Sequence, residues 1–201
     1  VNEYLQSNAY DAHFVYGDVL LNSKPYNGEF DLEKLMVKNI SHQGIFYNRV
    51  VKDWVGDYYL PFKAHADWDY NIRCFKDSRI KQVYIPVLVA AFAAGGISAA
   101  HDVAFLRHSL LPHKIEWHID RGGSFNRLNA YDKWWRLLRN ANIRSAKELM
   151  ECSQPHAVPT PLRNMLYMQR LVPQALLRNG FISKGCMFIS YIGMLIFGKR
   201  S

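Results

Sequence analysis

The chain has 201 residues, 49% of them hydrophobic and 14% aromatic, and carries a formal net charge of +8 at pH 7. That much apolar material excludes a disordered tail and suits one sizeable core, or a core with a satellite layer. The three cysteines, Cys74, Cys152 and Cys186, lie far apart without zinc-knuckle or redox spacing. This excludes a disulfide scaffold and points to reduced thiols in a cytoplasmic protein.

In chain order, residues 1–10 are mixed and polar, with no initiator Met and no signal-peptide pattern, and they read as the interior of a longer protein. Residues 13–16 and 44–47 are short β-type runs. Residues 31–38 predict a helix that Asp31 can cap, with Leu32, Leu35 and Met36 on one face. A second short helix is expected over 49–55, ended by Gly56. Residues 66–75 predict a better one: Trp68, Ile72 and Phe75 recur at helical spacing, and Asp69 with Arg73 makes an i,i+4 pair. The apolar run 80–94, interrupted by Pro86, reads as two strands or one bent strand that Gly95 and Gly96 stop.

From His101 onward the pattern is helical. Helices are expected near 103–110 (closed by Pro112), over 126–140 and over 145–152. The stretch 154–161, with three prolines, is a linker or turn. Residues 162–177 are amphipathic, and 181–197 are strongly apolar around Lys184. Charge divides the same way. Residues 1–100 hold ten Lys/Arg and eleven Asp/Glu, whereas 101–201 hold fifteen and six, with no acidic residue after Glu151. A basic end of this kind suits an anionic surface. The tail 162–197 fits a buried helical layer or a pair of interfacial helices; Lys184 and the short run oppose a true span. The fold class is therefore α/β, a mixed sheet with flanking helices over 1–100, followed by a basic helical region over 101–201.

Motif searches exclude several chemistries. There is no HExxH, GxSxG, P-loop or CxxC. His101-Asp102 invites a metal-phosphohydrolase reading, but His108, His113 and His118 do not share a helical face. Trp117, Trp134 and Trp135 mix with Arg121, Arg127, Arg136 and Arg139; helix packing explains the tryptophans most cheaply, and no nucleic-acid partner is expected.

Four segments in order carry a more specific signal: Tyr16-Gly17-Asp18-Val19; Ser41-His42-Gln43-Gly44-Ile45-Phe46-Tyr47-Asn48-Arg49; His65-Ala66-Asp67-Trp68-Asp69-Tyr70-Asn71-Ile72-Arg73; and Tyr84-Ile85-Pro86 followed by Phe92 to Ser98. Together they resemble family 2 glycosyltransferases of the GT-A fold, closest to bacterial enzymes that build surface polysaccharides and related glycolipids. The resemblance covers about residues 10–100. It implies that residues 1–100 are the acceptor-side half of a GT-A domain without the nucleotide-binding half, so the isolated chain would be inactive. It implies an inverting transfer from a nucleotide-sugar donor to a glycan or lipid-linked acceptor. A divalent cation, Mg or Mn, is expected in the full-length enzyme, with its ligands mostly missing from this chain.

The resemblance also assigns roles. Asp67 matches the catalytic base. A carboxylate within hydrogen-bond reach can take the proton of an attacking hydroxyl, and an ordinary Asp pKa of ~3.9 keeps it ionised at neutral pH. Asp69 is the rival for that role, with Arg73 favouring a structural ion pair. His42 and Gln43 could line the sugar site, or His42 could be a strand-end histidine satisfied by backbone. Asp18 could touch the donor or cap a turn. Trp68, Asp69, Gly95 and Gly96 complete the substrate-side set, and no metal ligand is assigned. The alternative function is a non-catalytic basic α/β module docking on anionic membrane through 162–197. The expected location is cytoplasmic, either free or at the inner face of the plasma membrane.

Overall fold

The computed structural model describes residues 11–93, 100–120, 128–153 and 158–171, with backbone alone for 128–132 and 168–171. The chain divides into two compact units, Val1–Asp102 and Val103–Ser201. The architecture is mixed α/β, with helices throughout the described C-terminal part.

The first unit is built around β1 (Phe14–Leu21), the centre of a four-stranded sheet. A two-residue turn, Asn22 and Ser23, carries positive φ at both positions and folds β1 back onto β2 (Lys24–Pro25). Such a turn matches the natural twist of paired strands. β3 (Ile45–Tyr47) pairs antiparallel with the first half of β1, and β4 (Gln82–Phe92) runs parallel to its whole length. The sequence expectation of two strands or one bent strand resolves as a single strand. Its register against β1 jumps from Gly17↔Ile85 to Asp18↔Leu88, so the extra residues Pro86 and Val87 bulge out. A bulge is where a strand tolerates a proline that cannot donate to the ladder.

Because β1 is flanked on both edges and covered by helix, Phe14, Val15, Tyr16 and Val19 are all buried. Around it stand α1 (Leu32–Leu35), a 3-10 turn (His42–Gly44), α2 (Val50–Val55) and α3 (Ala66–Lys76). Asp31 caps α1 as expected, its carboxylate accepting from Lys34 N at 2.7 Å. Gly56 ends α2 at φ 77°. In α3, Tyr70, Ile72 and Cys74 are buried, and Phe75 meets the Phe14 ring edge-on at 5.5 Å. Each such apolar side chain contributes about 1.5–3 kcal/mol on burial.

Cys74 is a free, fully buried thiol, pushed up to about 12 by desolvation, with Arg73 opposing weakly. A thiol held protonated is unreactive. Iodoacetamide at pH 8 should therefore label Cys74 only after denaturation. Labelling at the same rate in native protein, read by peptide mass spectrometry, would contradict this packing.

The second unit begins with α4 (Val103–Phe105), runs through a π-helical segment (Leu106–Leu110) and continues as α5 (Leu111–Asp120). This corrects the expectation that Pro112 closes the first helix. The Leu111 N–H reaches back to Leu106 O, so the hydrogen-bond ladder widens just before the proline. A wide turn accommodates a residue with no N–H that would otherwise break the helix. α6 (Leu128–Asn140), α7 (Ala146–Ser153) and α8 (Thr160–Leu171) follow. Trp134, Trp135, Leu137, Leu138, Ile143, Leu149, Leu162, Met165 and Leu166 are buried, as the packing explanation of the tryptophans required. Gly95, Gly96 and the tail beyond residue 171, including 181–197, lie outside the described residues. No helix among the described residues is long and apolar enough to cross a membrane.

Candidate active site

Asp67 is the second residue of α3, directly after the His65 cap position and Ala66. At a helix start the unpaired backbone N–H groups and the dipole favour an anion. The helix is held in place through the residues that follow Asp67. Trp68 Nε1 donates to Leu35 O at 2.8 Å, tying α3 to α1. Arg73 pairs with the buried Asp69 through Nε at 2.9 Å, and its other nitrogens donate to Val55 O and to Asp57 O, clasping the end of α2. Asp69 thus occupies the structural ion pair, and Trp68 a packing and hydrogen-bonding position.

The Asp67 carboxylate itself is neither sealed in nor free. Its side chain is 26% exposed. Oδ1 accepts from the Trp68 N–H at 2.9 Å and Oδ2 from Asn39 Nδ2 at 2.9 Å. His42 Nδ1 stands 3.8 Å from the same Oδ2, with 66% of its side chain exposed. A carboxylate has about four lone-pair sites, so two donors leave it able to accept a proton from an incoming hydroxyl. The structure therefore brings His42 and Asp67 together on an accessible face. Gln43, the next residue of the same 3-10 turn, is exposed.

The placement of that 3-10 turn rests on Asn27. This residue is buried, its Nδ2 donating to Gly17 O at 2.8 Å while its Oδ1 accepts from Ser41 N at 3.0 Å. One side chain thus joins the central strand to the residue before His42. The loop that carries Asn27 is fastened from α1 and the residues after it: Lys34 Nζ donates to Asn27 O at 2.9 Å and to Glu29 O at 2.6 Å, and Lys38 Nζ reaches Tyr26 O. Asn27→Ala should cost about 2 kcal/mol, because it leaves Gly17 O and Ser41 N without their partner. Urea unfolding of wild type and variant checks this; equal midpoints would remove Asn27 from its role.

Asp18 is engaged elsewhere. Its oxygens accept from Tyr84 OH at 2.9 Å, and Oδ1 also accepts from Gly28 N at 3.0 Å. Tyr84 is pushed up to about 12 by desolvation and then by its bond to Asp18. Asp18 thus ties β1 to β4 and to the loop after β2. Among the described residues no group of three or more His, Cys, Asp or Glu could hold a metal ion.

Sequence reasoning gave no role to Asn27, Asn39 or Tyr84, although Tyr84 stood in one of the four segments. The Asn27-Gly28 pair was a legible turn signal, and Gly28 does adopt φ 67°. Asn39 gave no signal, since its partner is 28 residues away.

Comparison with known proteins adds independent information. A PGL/p-HBAD biosynthesis glycosyltransferase of Mycobacterium bovis is 44% identical over 88 residues, which is 42% of this chain and 34% of the relative. The chain is similar to glycosyltransferases. The same-named protein of Mycobacterium tuberculosis matches with the same identity and coverage. The chain thus spans about a third of the length of the curated relatives it matches, 34%. No family model and no solved structure matches.

Proposed function

We propose that the chain is the acceptor-side part of an inverting family 2 glycosyltransferase of the GT-A fold, with Asp67 as the base. The carrying observation is the Asp67 carboxylate: it opens α3, is held by two donors, stays partly exposed and lies beside His42. The relatives named as glycosyltransferases support the same reading.

In the proposed reaction an acceptor hydroxyl attacks the anomeric carbon of a nucleotide-sugar. The new C–O bond forms as the bond to the nucleotide diphosphate breaks, and the hydroxyl proton passes to Asp67. An ionised aspartate is a weak base, so proton transfer is concerted with attack. His42, beside Asp67, and Gln43, the next and equally exposed residue of the turn, offer hydrogen bonds to sugar hydroxyls. The acceptor is proposed to be a glycan or a lipid-linked sugar in cell-surface glycoconjugate synthesis. A divalent cation that serves the donor would draw its ligands from elsewhere in the enzyme, and no step above passes through it. The test is sugar transfer by the full-length protein, measured against a panel of labelled nucleotide-sugars, with and without Asp67→Asn.

A further inference from the structure

We propose that Asn39 and Asn71 are positioning residues for Asp67, fixing its carboxylate through a one-way chain of hydrogen bonds that starts at the Tyr47 hydroxyl. Tyr47 OH donates to Asn71 Oδ1 at 2.7 Å, Asn71 Nδ2 to Asn39 Oδ1 at 2.8 Å, and Asn39 Nδ2 to Asp67 Oδ2 at 2.9 Å. The residues come from β3, α3 and the segment between α1 and the 3-10 turn. The helix that carries the base therefore also carries the amide that orients the base's own partner.

The polarity of the chain is set from its charged end. An ionised carboxylate only accepts, so Asn39 must turn its NH2 toward Asp67. Its carbonyl then faces Asn71, which must present an NH2 in turn. The Asn71 carbonyl is left for Tyr47, which must donate. No amide can flip alone without setting two acceptors or two donors face to face. Asn71 is fully buried, so water does not relieve a mismatch there. Burial also pushes the Tyr47 phenol far above its ordinary range, with Tyr58 adding to the effect. Tyr47 is thus an O–H donor at every accessible pH.

The consequence for Asp67 is orientation. With Oδ1 on the Trp68 N–H and Oδ2 on Asn39, the carboxylate is held in one orientation. Linked hydrogen bonds also polarise one another, which strengthens that hold. The titratable groups that face Asp67 are His42 from the 3-10 turn, Tyr26 beyond β2, Tyr47 from β3 and Tyr58 beyond α2. The three phenols are all pushed up by desolvation first and stay neutral at neutral pH.

This inference rests on Asp67 being the base, yet its test needs no substrate. The 201-residue chain is labelled with carboxyl-13C aspartate, and the Asp67 signal is the one lost in Asp67→Asn. At pH 7 Asn39→Leu should move the Asp67 carboxyl resonance, because Oδ2 loses its donor and the carboxylate its fixed orientation. Tyr47→Phe keeps the ring and removes the first donor; it should move the same resonance in the same direction by less. A purely structural role would lower the melting temperature and leave that resonance in place. An unmoved resonance in Asn39→Leu overturns the proposal. If that variant does not fold, Tyr47→Phe decides alone, and an unmoved resonance there overturns the chain. Loss of transfer in Asp67→Asn, by contrast, reports on the base and not on its tether, so the two readings fail separately.

Discussion

Asp67→Asn in the full-length protein is expected to lower the rate of sugar transfer by about 10³-fold, within the usual range for removal of a general base. The substitution keeps the side chain's shape. It retains one acceptor for the Asn39 NH2 but turns an NH2 toward the Trp68 N–H, a loss of about 1 kcal/mol. The fold should survive that loss, because α3 is held independently by Trp68 on Leu35 O and by Arg73 on Val55 O and Asp57 O. The loss should fall on kcat with KM little changed, since the base acts on the proton in the transition state and not on ground-state binding. Two measurements check this: initial rates of transfer and a melting curve of the same preparation. Turnover at the wild-type rate by a folded variant would take Asp67 out of the mechanism.

What could be read in the sequence, and what could not, follows from the range of the interactions involved. α3 was legible because its signals are local. The i,i+4 pair of Asp69 and Arg73 forms as spaced, and Asp67 opens the helix because the residues after it bury Ile72 and Cys74. The Asp31 cap and the Gly56 stop were equally local. β1 was legible only in part: a β-type run was read at 13–16, yet 17–21 continue the strand because β4, from far along the chain, pairs with its whole length. Pro112 misled because a proline's local preference is to end a helix, and the π segment before it removes the reason. At the site, His42 and Asp67 were named as separate residues. Their meeting depends on Asn27 and Asn39, which act across the fold and leave no periodicity behind. Residue type alone could not show that Asp18 has both oxygens occupied, because its partner Tyr84 lies 66 residues away.

Gly17→Ala is expected to destabilise the first unit by about 3 kcal/mol, the upper part of the range for an overpacked core. The glycine is required by space and not by backbone angle. A Cβ there would lie 2.5 Å from Val89 Cγ2 and 2.8 Å from Val87 O. Val87 belongs to the bulge of β4, so that carbonyl cannot retreat without unpairing the parallel ladder that spans β1. Gly56 makes the natural contrast. It has φ 77° and open space around a Cβ, so Gly56→Ala should cost only about 1–2 kcal/mol, from its left-handed backbone alone. Urea unfolding should show the larger drop in midpoint for Gly17→Ala with an unchanged slope. Its effect should also reach the site. Gly17 O accepts from Asn27, Asn27 holds Ser41, and Gly44 packs so closely that its own added Cβ would lie 3.0 Å from Gly17 O. Widening β1 from β4 is therefore expected to disturb the 3-10 turn that carries His42. Equal stability of the two glycine variants would mean that the bulge yields freely, and the link from the central strand to the site would be lost with it.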